Sequence, residues 1–402
     1  MISLEELLSK YCPSGVPFVP INELGTITRG KRFVHADAVE EGIPCIHYGE
    51  LYTFYGISTN KARSHVRQEL ASKLRYAKKN DVIIVGAGEN DTDIGVAVAY
   101  LGDEEVAVHD ACYILRQEND PKYISYCLRT ASYHNQIKKY VSSGKICAIS
   151  ADGIGKAKLP IPPIEVQRAI VSMLDVFTEY SNTLIEELSL RQQQYEYYSS
   201  YVLDTDNAII WGDKSMLRYK SIKEVFTRIK GTPITAGKMK EIDDPEGNIR
   251  IFAGGKTVVN AKEEAIPNAN ITRVPAVLVQ SRGVIDFIYY DKPFTFKNEM
   301  WAYTADDEVT VKYLYYILKS NVKRFRELAS GTGSLPQIAL PATEDYKIPL
   351  PEMAIQKRIV SILDSFDSLC FDDNKGIPAE IALRQKQYDY YRDRLLSFKE
   401  VG

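Results

Sequence analysis

The sequence predicts an α+β fold in which two α/β domains are separated by a long antiparallel two-helix coiled coil, with a pseudo-two-fold internal repeat. Three observations predict it: a duplicated block of sequence, a heptad pattern after each copy, and strand-like runs between the copies. A chain of 402 residues is long enough for about two or three cores. We therefore expect domains at 1–157 and 206–346 and spacer helices at 158–205 and 347–402.

The duplication consists of two blocks that occur twice in the same order. Residues 158–177, KLPIPPIEVQRAIVSMLDVF, match residues 347–366, KIPLPEMAIQKRIVSILDSF, at 10 of 20 positions without a gap. Residues 191–198 match residues 384–391 at 6 of 8 positions. The blocks recur after 189 and 193 residues, so the second copy holds four extra residues, around 372–378. Such a repeat indicates two similar structural units in one chain.

Each copy of the block continues as an amphipathic helix. Prolines at 160, 162 and 163 prevent a helix before about Ile164. Apolar and aromatic residues then alternate by fours and threes, which is typical of a coiled-coil seam. We expect the two seams to form the helix-pair and subunit interface through Ile170, Leu174, Phe177, Leu184, Leu188, Tyr195 and Tyr198 of the first helix and Ile359, Leu363, Phe366, Tyr388, Tyr391 and Leu395 of the second. The alternative is that each helix packs only on its own domain.

The connections and the extra residues refine this helix pair. Few residues separate Leu203 from Ile222, which favours a second helix that runs back along the first. Gly376 and Pro378 predict a loop over 374–378 that interrupts the second seam. The first helix lacks that loop, so the two helices are not expected to be exactly equivalent.

The two domains between the blocks have mixed patterns. Strand-like runs occur at 81–85, 94–100, 276–280 and 284–290, each with glycine or Asp/Asn at its ends. Short helices are expected over 123–140 and 311–329. Upstream of the blocks the copies are only faintly similar, as in 21–30 and 222–231. The domains therefore have a related plan and different surfaces.

Sequence signatures of catalysis and of cofactor or metal binding are absent. The six cysteines lie far apart, and no two histidines have the spacing that would clamp a metal from one helix face. Residues 253–257, AGGKT, resemble the end of a phosphate-binding loop, but Arg250 stands where its first glycine belongs, which favours a tight turn. No tetrapeptide for a flipped adenine and no metal-nuclease triplet occurs. We expect no cofactor, no metal and no catalytic activity.

The order of these parts resembles the specificity subunit of type I restriction-modification systems. The resemblance rests on Pro-x-Pro-x-x-x-x-Gln and Arg-Gln-x-Gln-Tyr-x-Tyr-Tyr in both copies, on residues 376–381 and on the closing 390–396. It implies two target-recognition domains that bind an asymmetric bipartite site on double-stranded DNA, and helices that set the gap between its halves. It also implies two methyltransferase subunits, which use S-adenosylmethionine to methylate adenine, and restriction subunits that can join. A stand-alone coiled-coil DNA-binding or scaffold protein is the alternative, and it would not co-purify with methyltransferase.

Candidate DNA contacts are basic residues, one tyrosine and two glycine-rich loops. Residues 61–79 hold seven basic residues and one acidic residue, although such runs also occur on solvated helices. The tyrosine lies in a glycine-flanked stretch, where a place in the core is the alternative. The loops precede each shared helix, and their backbone amides could approach phosphates. The candidates are Arg29, Lys31, Arg32, Tyr48, Lys61, Arg63, Arg67, Lys73, Arg75, Lys78, Lys79, Lys145, Arg228, Lys230, Thr332 and Ser334.

Charge and hydropathy indicate how strongly the chain binds DNA and where in the cell it is expected. The formal net charge is −3, and residues 161–210 hold two basic and eight acidic residues, so acid is concentrated in one segment. A weakly charged protein gains little non-specific DNA affinity from phosphate neutralisation. We therefore expect partners to contribute to DNA binding. No apolar run is long enough for a membrane span or a signal peptide, so we expect a cytoplasmic protein with no membrane partner.

Overall fold

The structure is a computed structural model, and it describes residues 4–142, 144–212, 217–255, 257–329 and 335–401. The chain divides into two compact units. Unit 1 comprises Met1–Leu184 and Ile381–Gly402, and unit 2 comprises Ile185–Glu380. Within the described part of the chain, no helix has the length and apolar character that crossing a membrane requires.

The first half of the chain is built from short strands and helices that precede one long helix. The strands are β1 (Phe18–Pro20), β2 (Gly25–Arg29), β3 (Ala38–Val39), β4 (Ile43–Ile46), β5 (Ser58–Thr59), β6 (Ser64–Val66), β7 (Tyr76–Ala77), β8 (Val82–Val85), β9 (Ala87–Gly88), β10 (Ala97–Tyr100), β11 (Val106–Val108), β12 (Cys112–Gln117), β13 (Cys147–Ala148) and β14 (Lys158–Pro160). The helices are α1 (Leu4–Tyr11), α2 (Ile21–Leu24), α3 (Glu50–Thr53), α4 (Pro121–Cys127), α5 (Ala131–Ile137), α6 (Ala151–Gly155) and α7 (Ile164–Leu203).

The second half repeats this order with fewer strands. The strands are β15 (Arg218–Ser221), β16 (Thr227–Lys230), β17 (Ile249–Phe252), β18 (Val258–Ala261), β19 (Ala276–Gln280), β20 (Asp286–Tyr290), β21 (Phe294–Phe296), β22 (Trp301–Thr304) and β23 (Lys347–Leu350). The helices are α8 (Ala208–Trp211), α9 (Ile222–Val225), α10 (Ala236–Glu241), α11 (Glu308–Ser320), α12 (Val322–Glu327), α13 (Pro341–Glu344), α14 (Met353–Phe371) and α15 (Ile377–Leu395).

Two five-stranded sheets form the centre of the domain of unit 1. The first has the strand order β2-β12-β8-β10-β5, in which β12 is antiparallel to both β2 and β8. The second has the order β3-β6-β4-β11-β7, with β4 and β11 parallel. All four residues of β8 are fully buried, because this central strand has packed side chains on both faces. The main core also includes Ile170 and Leu174 of α7, whereas Phe33, Cys45 and Val66 belong to a smaller core under the second sheet.

Unit 2 has the same plan with fewer strands. Its sheets have the orders β16-β22-β19-β20 and β18-β17-β21, so β16, β22 and β19 correspond to β2, β12 and β8. The parallel pair of β17 and β21 corresponds to β4 and β11. Its main core includes Ile359 and Leu363 of α14, and two smaller cores pack around β17 and β21. The predicted α+β class with an internal repeat is therefore confirmed.

The predicted local elements are largely observed. The runs at 81–85, 276–280 and 284–290 contain β8, β19 and β20. The run at 94–100 begins with a turn, where Gly95 has a φ of +88° that favours glycine, and only its end forms β10. The expected helices over 123–140 and 311–329 are each divided in two, into α4 and α5 and into α11 and α12. At the two ends of the expected turn, the Ala253 amide donates to the Thr257 carbonyl across 3.0 Å.

The long helices begin and break close to the expected positions. Helix α7 begins at Ile164, directly after the prolines, and it continues without interruption to Leu203. The second helix stops at Phe371 and resumes at Ile377. The prediction that the loop extends to Pro378 was wrong by two residues, because the helix already begins at Ile377. Proline fits in the first turn of a helix, where the N–H that it lacks would have no hydrogen-bond partner within the helix.

A set of contacts, which we call the joint, attaches each domain to its long helix. In unit 1, Lys122 and Tyr126 both bind Asp175, and the Tyr126 hydroxyl donates across 2.8 Å. The hydroxyl of Tyr123 donates to the carbonyl of Pro160 across 2.9 Å. The Gln167 side chain donates to the carbonyl of Pro162 across 2.8 Å. All the helix-side partners lie in the duplicated block.

Unit 2 repeats these contacts of the joint at the equivalent positions. Lys312 and Tyr316 bind Asp364 at 2.8 and 2.6 Å. Tyr313 donates to the carbonyl of Pro349 across 2.7 Å, and Gln356 donates to the carbonyl of Pro351 across 2.9 Å. The duplicated block therefore encodes a duplicated attachment of domain to helix.

The long helices also pair within each unit, in the antiparallel direction. In unit 1, Phe177 stacks on Tyr391 with ring centroids 5.3 Å apart, and Arg384 lies over the Tyr180 ring. In unit 2, Tyr195 contacts Phe371 at 5.4 Å and Tyr198 stacks on Phe366 at 5.5 Å.

The other seam residues divide between core packing and helix pairing. Ile170, Leu174, Ile359 and Leu363 are fully buried and pack in the domain cores. Leu184 is buried and Leu188 is half-buried, while Tyr388 and Leu395 are half-buried against the core of unit 1. Some seam residues therefore pack in the core of their own domain, and others pair the two long helices.

Candidate nucleic-acid interface

One end of the strands in unit 1 gathers several of the candidate residues, and we call it face 1. It comprises Arg29, Lys31, Arg32, His47, Tyr48, Arg75, Lys145 and His109, which follow or adjoin the ends of β2, β4, β8 and β11. The absence of a side chain at Gly30 allows these ends to approach closely. A Cβ atom there would lie only 2.2 Å from the His109 carbonyl oxygen. Beyond it, the Lys31 amide donates to the Val108 carbonyl across 2.9 Å.

Aromatic and imidazole rings form the centre of face 1. His47 lies between Tyr48, at 4.4 Å between ring centroids, and His109, at 4.5 Å. Phe33 closes the cluster with an edge contact to His109 at 4.9 Å. Rings in contact restrict one another's orientation. The cluster is therefore a packed group of rings at this end of the strands.

Hydrogen bonds fix the protonation state of His109. Its Nδ1 accepts from the Ala111 amide at 3.1 Å, so its ring proton lies on Nε2, which donates to the Phe33 carbonyl at 3.1 Å. Burial lowers the pKa of His109, and the neighbouring His47 lowers it further. Burial also lowers the pKa of His47. Both rings are therefore neutral near pH 7.

Basic side chains surround the ring cluster. The Arg29 Nε donates to the Asp110 carbonyl across 2.6 Å, and Arg75 donates to the Arg29 carbonyl. Among the described residues, no carboxylate lies within ion-pair distance of Lys31 or Arg32, and both are exposed. Lys145 is exposed in the loop before β13, which pairs with β9 just after β8. Face 1 can therefore offer cations to phosphates around a neutral centre.

The corresponding strand ends in unit 2 form face 2. Gly231 follows β16 as Gly30 follows β2, and a Cβ atom there would lie 2.3 Å from the Phe296 carbonyl oxygen. The other strand ends supply Gly254 and Gly255 after β17, Arg282 and Gly283 after β19, and Lys297 and Glu299 after β21. Together with Lys240 and Leu335 they line a cleft of about 550 Å³.

The two faces differ in chemistry although their strand ends correspond. Face 2 has Ala253 and Gly254 after β17 where face 1 has His47 and Tyr48 after β4, and in its turns Gly255 and Gly283 have φ values of +71° and +79°. The Gly255 amide donates to the Arg282 carbonyl across 3.2 Å, so the turns lie against each other. Backbone and an exposed arginine dominate face 2, whereas side-chain rings dominate face 1.

The basic run at 61–79 is not a helix and does not form one surface. Lys78 and Lys79 precede β8, at the opposite end from face 1, where they pair with Glu105 at 3.0 Å and Asp103 at 2.7 Å. Lys61 follows β5 at that same end. Only Arg75 of the run reaches face 1.

The remaining candidates lie in several places. Arg63 stacks over Phe54 at 4.4 Å, Arg67 pairs with the buried Asp37, and Lys73 is exposed at the end of a 3₁₀ turn. Arg228 binds Glu344 at 3.3 Å, while Lys230 ends β16 beside face 2. Thr332 and Ser334 lie outside the described residues.

Face residues that the sequence did not single out include His47, His109, Arg282 and Lys297. Their positions follow from the strand ends. The similarity between 21–30 and 222–231 was a usable signal, because it aligns Gly30 with Gly231 and thus the ends of β2 and β16. Among the described residues, no group of His, Cys, Asp or Glu could hold a metal ion. The cysteines of that part are all unpaired, and all but Cys12 are buried.

The repeat agrees with a known protein family. The family model for the type I restriction modification DNA specificity domain matches residues 13–191 and 214–383. The chain belongs to this family. That membership agrees with the expectation that the chain is a specificity component and not a catalytic one. Each match begins near the start of one expected domain and ends within a long helix, at Arg191 of α7 and at Leu383 of α15.

Several relatives carry the same family description. The specificity subunit of the type I restriction enzyme EcoR124I/EcoR124II from Escherichia coli is 31% identical over 264 residues, which are 60% of this chain and 63% of that protein. A protein of Mycoplasma pneumoniae assigned as a type I specificity subunit is 28% identical over 302 residues, 71% of this chain and 84% of its own length. The similarity to the E. coli subunit thus covers less than two thirds of that protein.

Two solved structures share the fold. The S subunit of a type I restriction-modification system from M. genitalium has a TM-score of 0.57 at 17% identity, with 95% of this chain and 96% of that chain covered. A chain from a structural study of complex assembly and conformational transition in a type I R-M system has a TM-score of 0.59 at 15% identity, with 96% and 98% covered. At these identities the likeness concerns the fold.

Proposed function

We propose that this chain binds an asymmetric bipartite target on double-stranded DNA and directs partner adenine methyltransferase and restriction subunits to it. The observation that carries the proposal is the contrast between the duplicated joint and the two different faces. Two identical faces would favour a symmetric target. Two different faces on one scaffold favour two different half-sites.

Faces 1 and 2 are the proposed DNA contacts. Arg29, Lys31, Arg32 and Arg75 surround face 1, and Lys230, Arg282 and Lys240 surround face 2, which suits phosphates on either side of a read base. Lys61, Lys78 and Lys79 are assigned a smaller contribution, because they lie at the other end of the strands of unit 1. The proposal also places the chain in the cytoplasm, where its DNA would be.

The partners are proposed from the family. Relatives are named specificity subunits of type I restriction enzymes, and one structural neighbour comes from a study of type I complex assembly. Exposed apolar residues on the long helices, among them Val176, Leu190 and Tyr390, give such partners apolar area to cover. Two methyltransferase subunits would match the two copies of the joint.

The deciding experiment is to express the chain with its methyltransferase and to map methylated adenines across the host genome. We expect one two-part motif with dissimilar halves. Exchanging residues 15–157 for the same region of another family member should change one half of that motif only. A chain with the reverse exchange, at residues 206–346, is the matched control and should change the other half. A change in both halves from one exchange contradicts the proposal, as does a chain that binds DNA and never associates with methyltransferase.

A further inference from the structure

The ring cluster of face 1 has a fixed geometry before any ligand arrives. The His47 amide donates to Glu50 Oε2 across 2.9 Å, and Ser64 binds the other oxygen of that carboxylate. Glu50 thus ties the His47 backbone to β6. On the other side, the ring of His47 rests on His109, whose two nitrogens are both occupied by backbone partners. Neither neighbour leaves His47 much freedom to turn.

The exposed edge of the cluster consists of two neutral polar groups. His47 and Tyr48 are half-buried, and within the described part of the chain the Tyr48 hydroxyl has no hydrogen-bond partner. Because the His47 Nδ1 accepts from the Gly49 amide at 3.5 Å, the ring proton lies on Nε2, which is left as a donor, and a phenol hydroxyl can serve as donor or acceptor. Base edges in DNA grooves are likewise patterns of donors and acceptors. A neutral group can match such a pattern without also attracting every phosphate.

The cations of face 1 stand around the cluster, whereas the carboxylates of Glu50 and Asp110 lie against its inner rings, 2.9 Å from the His47 amide and 3.4 Å from His109 Nδ1. Arg29 and Arg75 are held by backbone carbonyls, while Lys31 and Arg32 are exposed. Phosphate contacts fix register and orientation, whereas contacts to base edges carry sequence information. In face 1 the groups suited to phosphate contacts and the groups suited to base contacts therefore occupy different positions.

We propose that His47 and Tyr48 read bases of the half-site bound by unit 1. The inference rests on the proposed function and adds to it the residues that determine one half of the specificity. In unit 2 the two residues that directly follow the corresponding strand are Ala253 and Gly254, which offer no polar side chain for this task. The two half-sites are consequently read by different means.

The test uses the complete complex with its methyltransferase and compares His47→Gln and Tyr48→Phe with the unchanged chain. The first variant removes the ring and the second removes only a hydroxyl. Methylation is measured on a library of DNA targets in which each position of the motif is varied in turn. We expect discrimination at one or two positions of one half-site to fall about tenfold to a hundredfold, and the other half-site to be read as before.

His65→Gln is the matched control, because His65 lies on β6 of the same sheet and makes no ring contact with the cluster. It should leave the motif unchanged. Continued reading of the second half-site shows that a variant complex is assembled, and Tyr48→Phe decides the matter if His47→Gln fails to fold.

An unchanged motif in Tyr48→Phe and in a folded His47→Gln overturns the inference. Equal weakening on every DNA sequence also overturns it, because it would indicate a packing or phosphate-binding role. Failure of the proposed function has a different signature: the unchanged chain would then direct no methylation to any two-part motif.

Discussion

The two units differ least where each domain meets its long helix and most where the strands end. At the joint, Tyr123 and Tyr313 donate to equivalent proline carbonyls at 2.9 and 2.7 Å. At the faces, unit 1 has His47 and Tyr48 where unit 2 has Ala253 and Gly254. The duplicated attachment and the two dissimilar surfaces proposed to bind DNA therefore lie in separate parts of the same fold. Four predictions test how far this holds.

The first prediction concerns the cores beside the joint. Leu174 and Leu363 are equivalent and fully buried, so Leu174→Ala and Leu363→Ala should each lower the free energy of unfolding of its own unit by about 2 to 5 kcal/mol. Hydrogen exchange of each unit, measured as a function of urea concentration, gives the loss of unfolding free energy in both variants. Val176→Ala, at an exposed position of α7, is the control and should change little. A negligible loss of unfolding free energy in one unit would show that the two cores are not equivalent.

The second prediction concerns a difference within the joint. Gln167 also accepts a hydrogen bond from the Asp120 amide at 3.0 Å, whereas the Gln356 carbonyl oxygen has no partner among the described residues. Gln167→Ala should therefore cost about 1 to 2 kcal/mol more unfolding free energy than Gln356→Ala, because it leaves that amide unsatisfied. Chemical denaturation of both variants measures the difference, with the exposed Gln193→Ala as control. Equal losses of unfolding free energy in the two variants would mean that water replaces Gln167 as the hydrogen-bond partner of the Asp120 amide.

The third prediction concerns the ion pairs of the joint. Asp175 and Asp364 have side chains that are 36% and 37% exposed, so solvent screens their pairs with Lys122 and Lys312. Asp175→Asn and Asp364→Asn should each lower the unfolding free energy by about 1 kcal/mol, and by similar amounts. Thermal denaturation at low and high salt measures the loss. A large loss in one unit alone would show that the joints are alike in geometry and unlike in energy.

The smallest expected effect is the pH dependence of unit 1. Burial lowers the folded-state pKa of His47 and of His109, although Glu50 and Asp110 oppose the shift. Stability from the neutral rings is therefore complete above the unfolded pKa of about 6.5 and is lost as pH falls below it. Denaturation of unit 1 should become easier between pH 7.5 and 5.5. In His47→Gln/His109→Gln the same change of pH should have a smaller effect, and an undiminished effect would assign the pH dependence to other groups.

The sequence predicted the parts of the fold that local rules control. The prolines before Ile164 fixed the start of α7, and the heptad spacing identified Ile170 and Leu174 as buried. It did not predict that these positions would pack in the domain core while Phe177 pairs with the other helix, because an apolar stripe does not reveal its partner. That distinction depends on tertiary packing.

The candidate site was predicted less well, because it is assembled by strand ends from distant parts of the chain. Arg29, Lys31 and Arg32 were found because they are adjacent in sequence. His47 and His109 are 62 positions apart and meet only because β4 and β11 pair in parallel. Lys78 and Lys79 looked equivalent to Arg75 in sequence, but β8 separates their surface from face 1.

The small cores beneath faces 1 and 2 have a consequence for how the protein can evolve. Phe33, Cys45 and Val66 form a core apart from the one that holds α7, and unit 2 likewise has separate small cores around β17 and β21. A substitution in such a small core changes the packing under a face without entering the core that holds the long helix. If the faces bind DNA as proposed, single substitutions there can alter the preference of one unit while the surface for partners on the long helices is unchanged.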